Sequence, residues 1–200
     1  VTKFAVISKG LTKKVIVGDV IVPIAAILDP DVLSYLPREL LAYTSMDAVS
    51  HAIESYFNKN ANPLSDIYVY EALRTIMKYF KDAYDGSIDA RERLLYASML
   101  AGKAINLCGT TVVHGIGYYL TMRYGFQHGL ANAFLITQFI RQVSDLMPEQ
   151  TLELGRRLGL NPSTPNESAE LLIKALNELK RYSKIPLSLR DAGVREEDLE

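Results

Sequence analysis

The chain has three histidines in 200 residues, and the first, His51, follows Asp47 by four positions in "TSMDAVSHAIESYF". On an α-helix, positions i and i+4 share a face, so this carboxylate and imidazole can close on one metal ion or on each other as an ion pair. Thr44 to Asp47 also fits a capping box, in which the acid only secures the start of a helix. The other two histidines, His114 in "TTVVHGIGYYL" and His128 in "RYGFQHGLANA", are each followed by glycine. One straight helix would hold them about 21 Å apart at 1.5 Å per residue. They meet only if the chain turns back, and Gly125 supplies a place for that. Glycine after each histidine leaves room for a neighbouring backbone or a ligand. A lone histidine in an apolar setting is more often a packed or interface residue than a ligand. Three of them with one helical carboxylate form a donor set that suits Fe(II) or Zn(II) better than Mg or Ca, which prefer all-oxygen shells.

The pattern of apolar residues dictates the elements that must position this set. In the first thirty residues "KFAVIS", "KKVIVG" and "IAAILD" are short β-branched runs separated by Gly10, Gly18 and Pro23, which predicts two or three strands. From Pro37 the period becomes helical. "SDIYVYEALRTIMKYFKDAYDG" carries apolar residues at 70, 73, 77, 80 and 84 and stops at Gly86. The next helix is expected to start at an Asp89 cap and to use Ala97, Ala101, Gly102 and Ala104 for close approach to a neighbour. Apolar stretches at 110–123 and 129–146 and amphipathic ones near 149–158 and 166–182 complete a mainly α chain. Residues 1–30 thus read as a strand remnant of a preceding domain, and 31–200 as an all-helical metal-binding domain.

Net charge is −1 with the two signs interspersed, which leaves no electrostatic footprint for nucleic acid or an anionic membrane. No apolar run approaches the roughly 18 residues that span a bilayer. The lone Cys108 can form no internal disulfide, which suits a cytoplasmic setting. The chain opens on Val1 and stops in the charged segment "DAGVREEDLE", which reads as a piece of something longer, truncated at its C-terminus as well.

"MDAVSHAIESY", "HGIGYYL" and "QHGLANA", in this order and spacing, resemble the iron-containing (group III) alcohol dehydrogenase family, and "VTKFAVI" and "AAILDPDVLSYLPRELLAYTSMDA" extend the likeness over nearly the whole chain. The resemblance implies a dehydroquinate synthase-like C-terminal helical bundle whose catalytic metal is bound by Asp47, His51, His114 and His128. It implies Fe(II), with Zn(II) as the alternative, and NAD or NADP as cofactor. The small alcohol or aldehyde substrate would have its oxygen polarised by the metal during hydride transfer. Lys13 and, in "DVLSYL", Val32, Leu33 and Leu36 match places where that family's chain borders the nicotinamide. The family commonly has a further histidine four residues after the third ligand, where this chain has Tyr118, read either as a different proton relay or as a packing aromatic beside Tyr119. The family's N-terminal dinucleotide-binding half, with its glycine-rich pyrophosphate turn, is absent from these residues; "HGIG" and "GTT" lack the strand-turn-helix setting to replace it. The isolated chain is accordingly expected to be inactive and, through its exposed strand edges, to form homo-oligomers. Within the same fold a glycerol dehydrogenase-like zinc enzyme or a dehydroquinate synthase-like lyase is the nearest alternative. A catalytically silent metal-binding or oligomerisation module is the alternative from another class.

Overall fold

A computed structural model describes residues 2–10 and 12–199. The N-terminal residues form one antiparallel hairpin, β1 (Phe4–Lys9) on β2 (Thr12–Val17), in the register Phe4↔Val17 through Lys9↔Thr12. The third strand expected at "IAAILD" is not formed. Residues 22–29 carry no regular structure and leave Ile24 and Ile27 almost wholly exposed, because a strand needs a neighbouring ladder and the two-stranded sheet extends no further. Short 3-10 helices follow at Asp19–Ile21 and Pro30–Tyr35.

Among the described residues seven α-helices follow, α1 (Arg38–Tyr56), α2 (Pro63–Asp85), α3 (Ile88–Cys108), α4 (Val112–Tyr124), α5 (His128–Leu146), α6 (Pro148–Arg157) and α7 (Pro165–Tyr182), with a last 3-10 helix at Glu196–Leu199. Their ends follow local chemistry. Asn62 accepts from the Leu64 and Ser65 amides while Ser65 Oγ accepts from the Asn62 amide, a closed capping box with Pro63 at the first helical position. The α2 helix stops where Gly86 takes φ +112°, a conformation that suits glycine. The cap of α3 is Ser87, which accepts from the Ala90 amide, and not Asp89 as the sequence pattern suggested; Gly86 ends one helix and the next residue already starts another. Likewise Thr44 and Asp47 lie in the middle of α1, so they do not form a capping box; the Thr44 hydroxyl turns back to the Leu40 carbonyl.

The core lies where α1, α2, α3 and α5 meet. Met46, Val49 and Ile53 of α1, Leu73, Ile76 and Phe80 of α2, and Ile136 and Ile140 of α5 are all fully buried. Each such side chain contributes roughly 1.5–3 kcal/mol over its exposed state. Ala97, Ala101 and Ala104 are buried at the α3 interface, as their size suggested, whereas Gly102 faces the Thr2 methyl of the N-terminal segment at the edge of the bundle. Arg91 is also buried. Its guanidinium donates to the carbonyls of Leu33, Ser34 and Ala83, which ties the Pro30–Tyr35 turn to the α2–α3 corner and satisfies the charge in place. Among the described residues no helix is long and apolar enough to cross a membrane.

The Asn62 cap gives a direct test of this assignment of ends. Asn62→Ala is expected to lower stability by about 1 kcal/mol, read as a lower midpoint in urea with unchanged slope; no change would mean that the α2 start is held by packing alone.

Candidate metal centre

The α1 helix delivers two of the proposed donors from one stripe. Asp47 and His51 sit one turn apart, with His51 Nε2 3.9 Å from Asp47 Oδ2. The other two arrive on α4 and α5. The turn that the histidine spacing demanded is present: α4 ends at Tyr124, Gly125 takes φ +70°, and His128 opens α5. His114 Nε2 and His128 Nε2 then lie 3.6 and 3.5 Å from Asp47 Oδ1. Donor atoms of Asp47, His114 and His128 all fall within 4.8 Å of one another. His51 stands beside this group, its ring stacked on that of His114 at 4.5 Å and 15°.

The two glycines that follow the histidines do different things. A Cβ on Gly129 would lie 1.9 Å from the Tyr43 carbonyl oxygen and 3.2 Å from Asp47 Cβ, so only glycine lets α5 lie against α1 closely enough to bring His128 to Asp47. A Cβ on Gly115 would meet nothing within 4 Å, and Gly115 lines a cavity of about 520 Å3. Asp47, His51, His114, Tyr118 and His128 line the same cavity, and Phe4, Val6 and Val15 of the hairpin roof it. Tyr118 stacks on His128 at 5.2 Å and 16°, and the Lys13 ammonium lies 5.2 Å from the Tyr118 ring centroid. Tyr118 and Lys13 therefore stand at the site. Leu33 and Leu36 do not: they line a separate apolar cavity with Arg91 and Leu94, and Val32 is exposed.

Two residues at the site were not singled out from the sequence. Glu54, fully buried, pairs through Oε2 with His114 Nδ1. Asn132 Nδ2 donates to Asp47 Oδ1 at 2.8 Å and lies 3.2 and 3.3 Å from the Nε2 atoms of His114 and His128. A helical spacing signal existed for both. Asp47, His51 and Glu54 follow the i, i+4, i+7 stripe of one helix face, and Asn132 is one turn after His128.

The electrostatics of the group favour a cation. Burial works to raise the Asp47 carboxyl, but the imidazoles of His51, His114 and His128 around it outweigh burial and hold it below the ordinary carboxylate range. Burial pushes His51 down to about 4 and lowers His128 as well, in both cases against the attraction of Asp47. Burial would also lower His114, yet its hydrogen bonds with Asp47 and Glu54 carry it up to about 9. Glu54 is held low despite burial, first by His114 and then by bonds from Thr111. At neutral pH two carboxylates thus face one imidazolium and two neutral rings, a buried surplus of negative charge around converging nitrogen and oxygen donors. At the point of convergence Asp47 also accepts from the Asn132 amide. Those residues fit a divalent ion with nitrogen and oxygen preferences.

A helical domain that gathers an aspartate and histidines at one cavity could hold a metal ion, and comparison with known proteins gives its family. Residues 41–200 match the Fe-containing alcohol dehydrogenase family, C-terminal, and the chain belongs to that family. It is 36% identical to a 1,3-propanediol dehydrogenase of Citrobacter freundii over 99% of this chain and 53% of the relative. It is 34% identical to an NAD-dependent methanol dehydrogenase of Bacillus methanolicus over 100% of this chain and 54% of the relative. A crystal structure of a 1,3-propanediol oxidoreductase superposes with a TM-score of 0.91 at 35% identity, covering 98% of this chain and 53% of that one. The chain spans about half the length of the curated relatives it matches. Its mainly α fold is that of the family's C-terminal helical domain.

The glycines provide paired variants. Gly129→Ala is expected to destabilise by roughly 1–3 kcal/mol or more, because its methyl group meets a backbone carbonyl that cannot move alone. Gly115→Ala is expected to stabilise by roughly 0.5–1 kcal/mol as a helix-interior glycine replaced without a clash. Thermal unfolding of the two proteins measures both signs; equal shifts would refute the close α1–α5 contact.

Proposed function

We propose that this chain is the metal-binding part of an NAD(P)-linked alcohol dehydrogenase, and that Asp47, His51, His114 and His128 hold its divalent metal, Fe(II) or alternatively Zn(II). The observation that carries this reading is the convergence of Asp47, His114 and His128 donor atoms within 4.8 Å, with His51 stacked alongside. The family membership and the printed activities of the relatives, a 1,3-propanediol dehydrogenase and an NAD-dependent methanol dehydrogenase, support a small alcohol or aldehyde as substrate. When bound, such a metal supplies Lewis acidity to a substrate oxygen.

This chain's own residues do the remaining work. Asp47 contributes the one formal negative charge of the ligand set, which tightens cation binding without closing the site. The cavity of about 520 Å3 leaves room for a small substrate next to the histidines, and Gly115 keeps that wall free of a side chain. The hairpin residues Phe4, Val6 and Val15 give the cavity an apolar wall on one side. Burial, with the charges of Asp47 and Glu54, raises Tyr118, so its phenol stays protonated near neutral pH and offers a hydrogen-bond donor. Lys13 brings positive charge to the same corner, suited to the electron-rich end of a nicotinamide cofactor. Val32, Leu33 and Leu36 lie away from this cavity and carry no part of the reading.

Titration of the metal-free protein with Fe(II) under anaerobic conditions, and separately with Zn(II), tests the assignment. One equivalent is expected, and Asp47→Ala, His51→Ala, His114→Ala and His128→Ala should each weaken binding by at least tenfold, since each removes one of four ligands. Hydrogen bonds to Asp47 and Glu54 hold a second proton on His114 up to about pH 9, and a metal must displace it. Apparent affinity should therefore rise with pH and level off near that value. Stoichiometric metal in all four variants, or affinity independent of pH, would overturn the ligand set.

A further inference from the structure

Glu54 is a fully buried carboxylate with no lysine or arginine paired to it among the described residues, and its charge is met by hydrogen bonds. Its two oxygens have separate tasks. Oε1 accepts from the Thr111 amide at 2.7 Å, the Thr111 hydroxyl at 2.7 Å, the Val113 amide at 3.0 Å and the His114 amide at 3.4 Å. These amides form the N-terminus of α4, where the Thr111 side chain makes no capping bond and where helix polarity favours an anion. Oε2 pairs with His114 Nδ1. One carboxylate from α1 therefore clamps both the backbone and the ring of the first turn of α4.

We propose that Glu54 is a positioning residue for the metal centre: it keeps a proton on His114 Nδ1, so that Nε2 is the atom left to donate its electron pair toward the point shared with Asp47 and His128. The inference rests on the metal reading above. It follows from valence, since a neutral imidazole has one N–H and one lone pair, and an ionised carboxylate at Nδ1 can only accept. Metal-bound histidines held in this way by a carboxylate or carbonyl depend on it, and loss of such a partner typically costs 10–100-fold in metal affinity.

Glutamine at position 54 separates this role from simple helix capping. The converging N–H groups of α4 accept only the amide oxygen at the Oε1 position, which turns the NH2 group toward His114. That donor requires Nδ1 to accept, and the single ring proton moves to Nε2, the atom that faces Asp47. Glu54→Gln is therefore expected to keep the helix and the fold, with thermal unfolding close to that of the unaltered protein, while zinc affinity measured against a chelator falls about 10–100-fold. Nitrogen-15 spectra of the metal-free proteins, recorded above the titration of the imidazole, should show the His114 proton on Nδ1 in the unaltered protein and on Nε2 in the variant. Unchanged zinc affinity in a folded variant would overturn the proposal. Should the variant not fold, the spectrum of the unaltered protein decides, and a His114 proton on Nε2 there would overturn it. An unaltered protein that binds no zinc would instead defeat the metal reading, while the spectra still test Glu54.

Discussion

The candidate centre depends on one close approach, that of α5 to α1 at Gly129. Helix axes normally stand 8–10 Å apart because side chains keep them there. At Gly129 a β-carbon would occupy the space of the Tyr43 carbonyl, so the backbone of α5 lies directly on α1. His128 follows from this placement, since it is the first residue of α5 and the adjoining glycine sets its distance from Asp47. Gly117 repeats the device on α4, where a Cβ would stand 2.0 Å from Asn132 Oδ1. Small residues at two helix crossings thus create a polar pocket inside a bundle that is otherwise packed with Ile, Leu and Phe.

Concentrating ionisable groups there is costly unless they compensate one another. The α1 helix carries Asp47 and Glu54 with His51 between them, and each carboxylate faces a nitrogen of His114. His114 is thus the most tightly held ring of the three, almost fully buried between two acids, while His51 and His128 each keep a partly open side. That asymmetry suits a site with a rigid interior wall at His114 and a more open face at His51 and His128. The N-terminal hairpin carries Lys13 to Tyr118 and lines the cavity with Phe4, Val6 and Val15.

Much of this was legible in the sequence because helical spacing is a strong signal. The i, i+4 placement of Asp47 and His51, the need for a reversal near Gly125 and the run of alanines on α3 all follow from period and residue size. Glu54 was hidden, although it lies on the same stripe as Asp47 and His51, because an acid on a helix is ordinarily a surface residue and nothing local says that α4 will start against it. Asn132 was hidden for a similar reason. The capping-box reading of Thr44–Asp47 failed because Pro37 had already started the helix seven residues earlier, and hydrophobic packing carried it through. Of the two or three strands expected, two form, because the β-branched composition at 24–28 states a preference that only a neighbouring strand can satisfy.

The proposed reading comes down to one physical statement: Asp47 and three imidazoles would share a single divalent ion. X-ray absorption at the metal edge of the zinc-loaded protein reads that shell directly. The expected spectrum has only nitrogen and oxygen neighbours near 2.0–2.2 Å, with the outer-shell scattering of two or three imidazole rings. A shell of water oxygens without imidazole scattering, or a sulfur neighbour near 2.3 Å from Cys108, would contradict it.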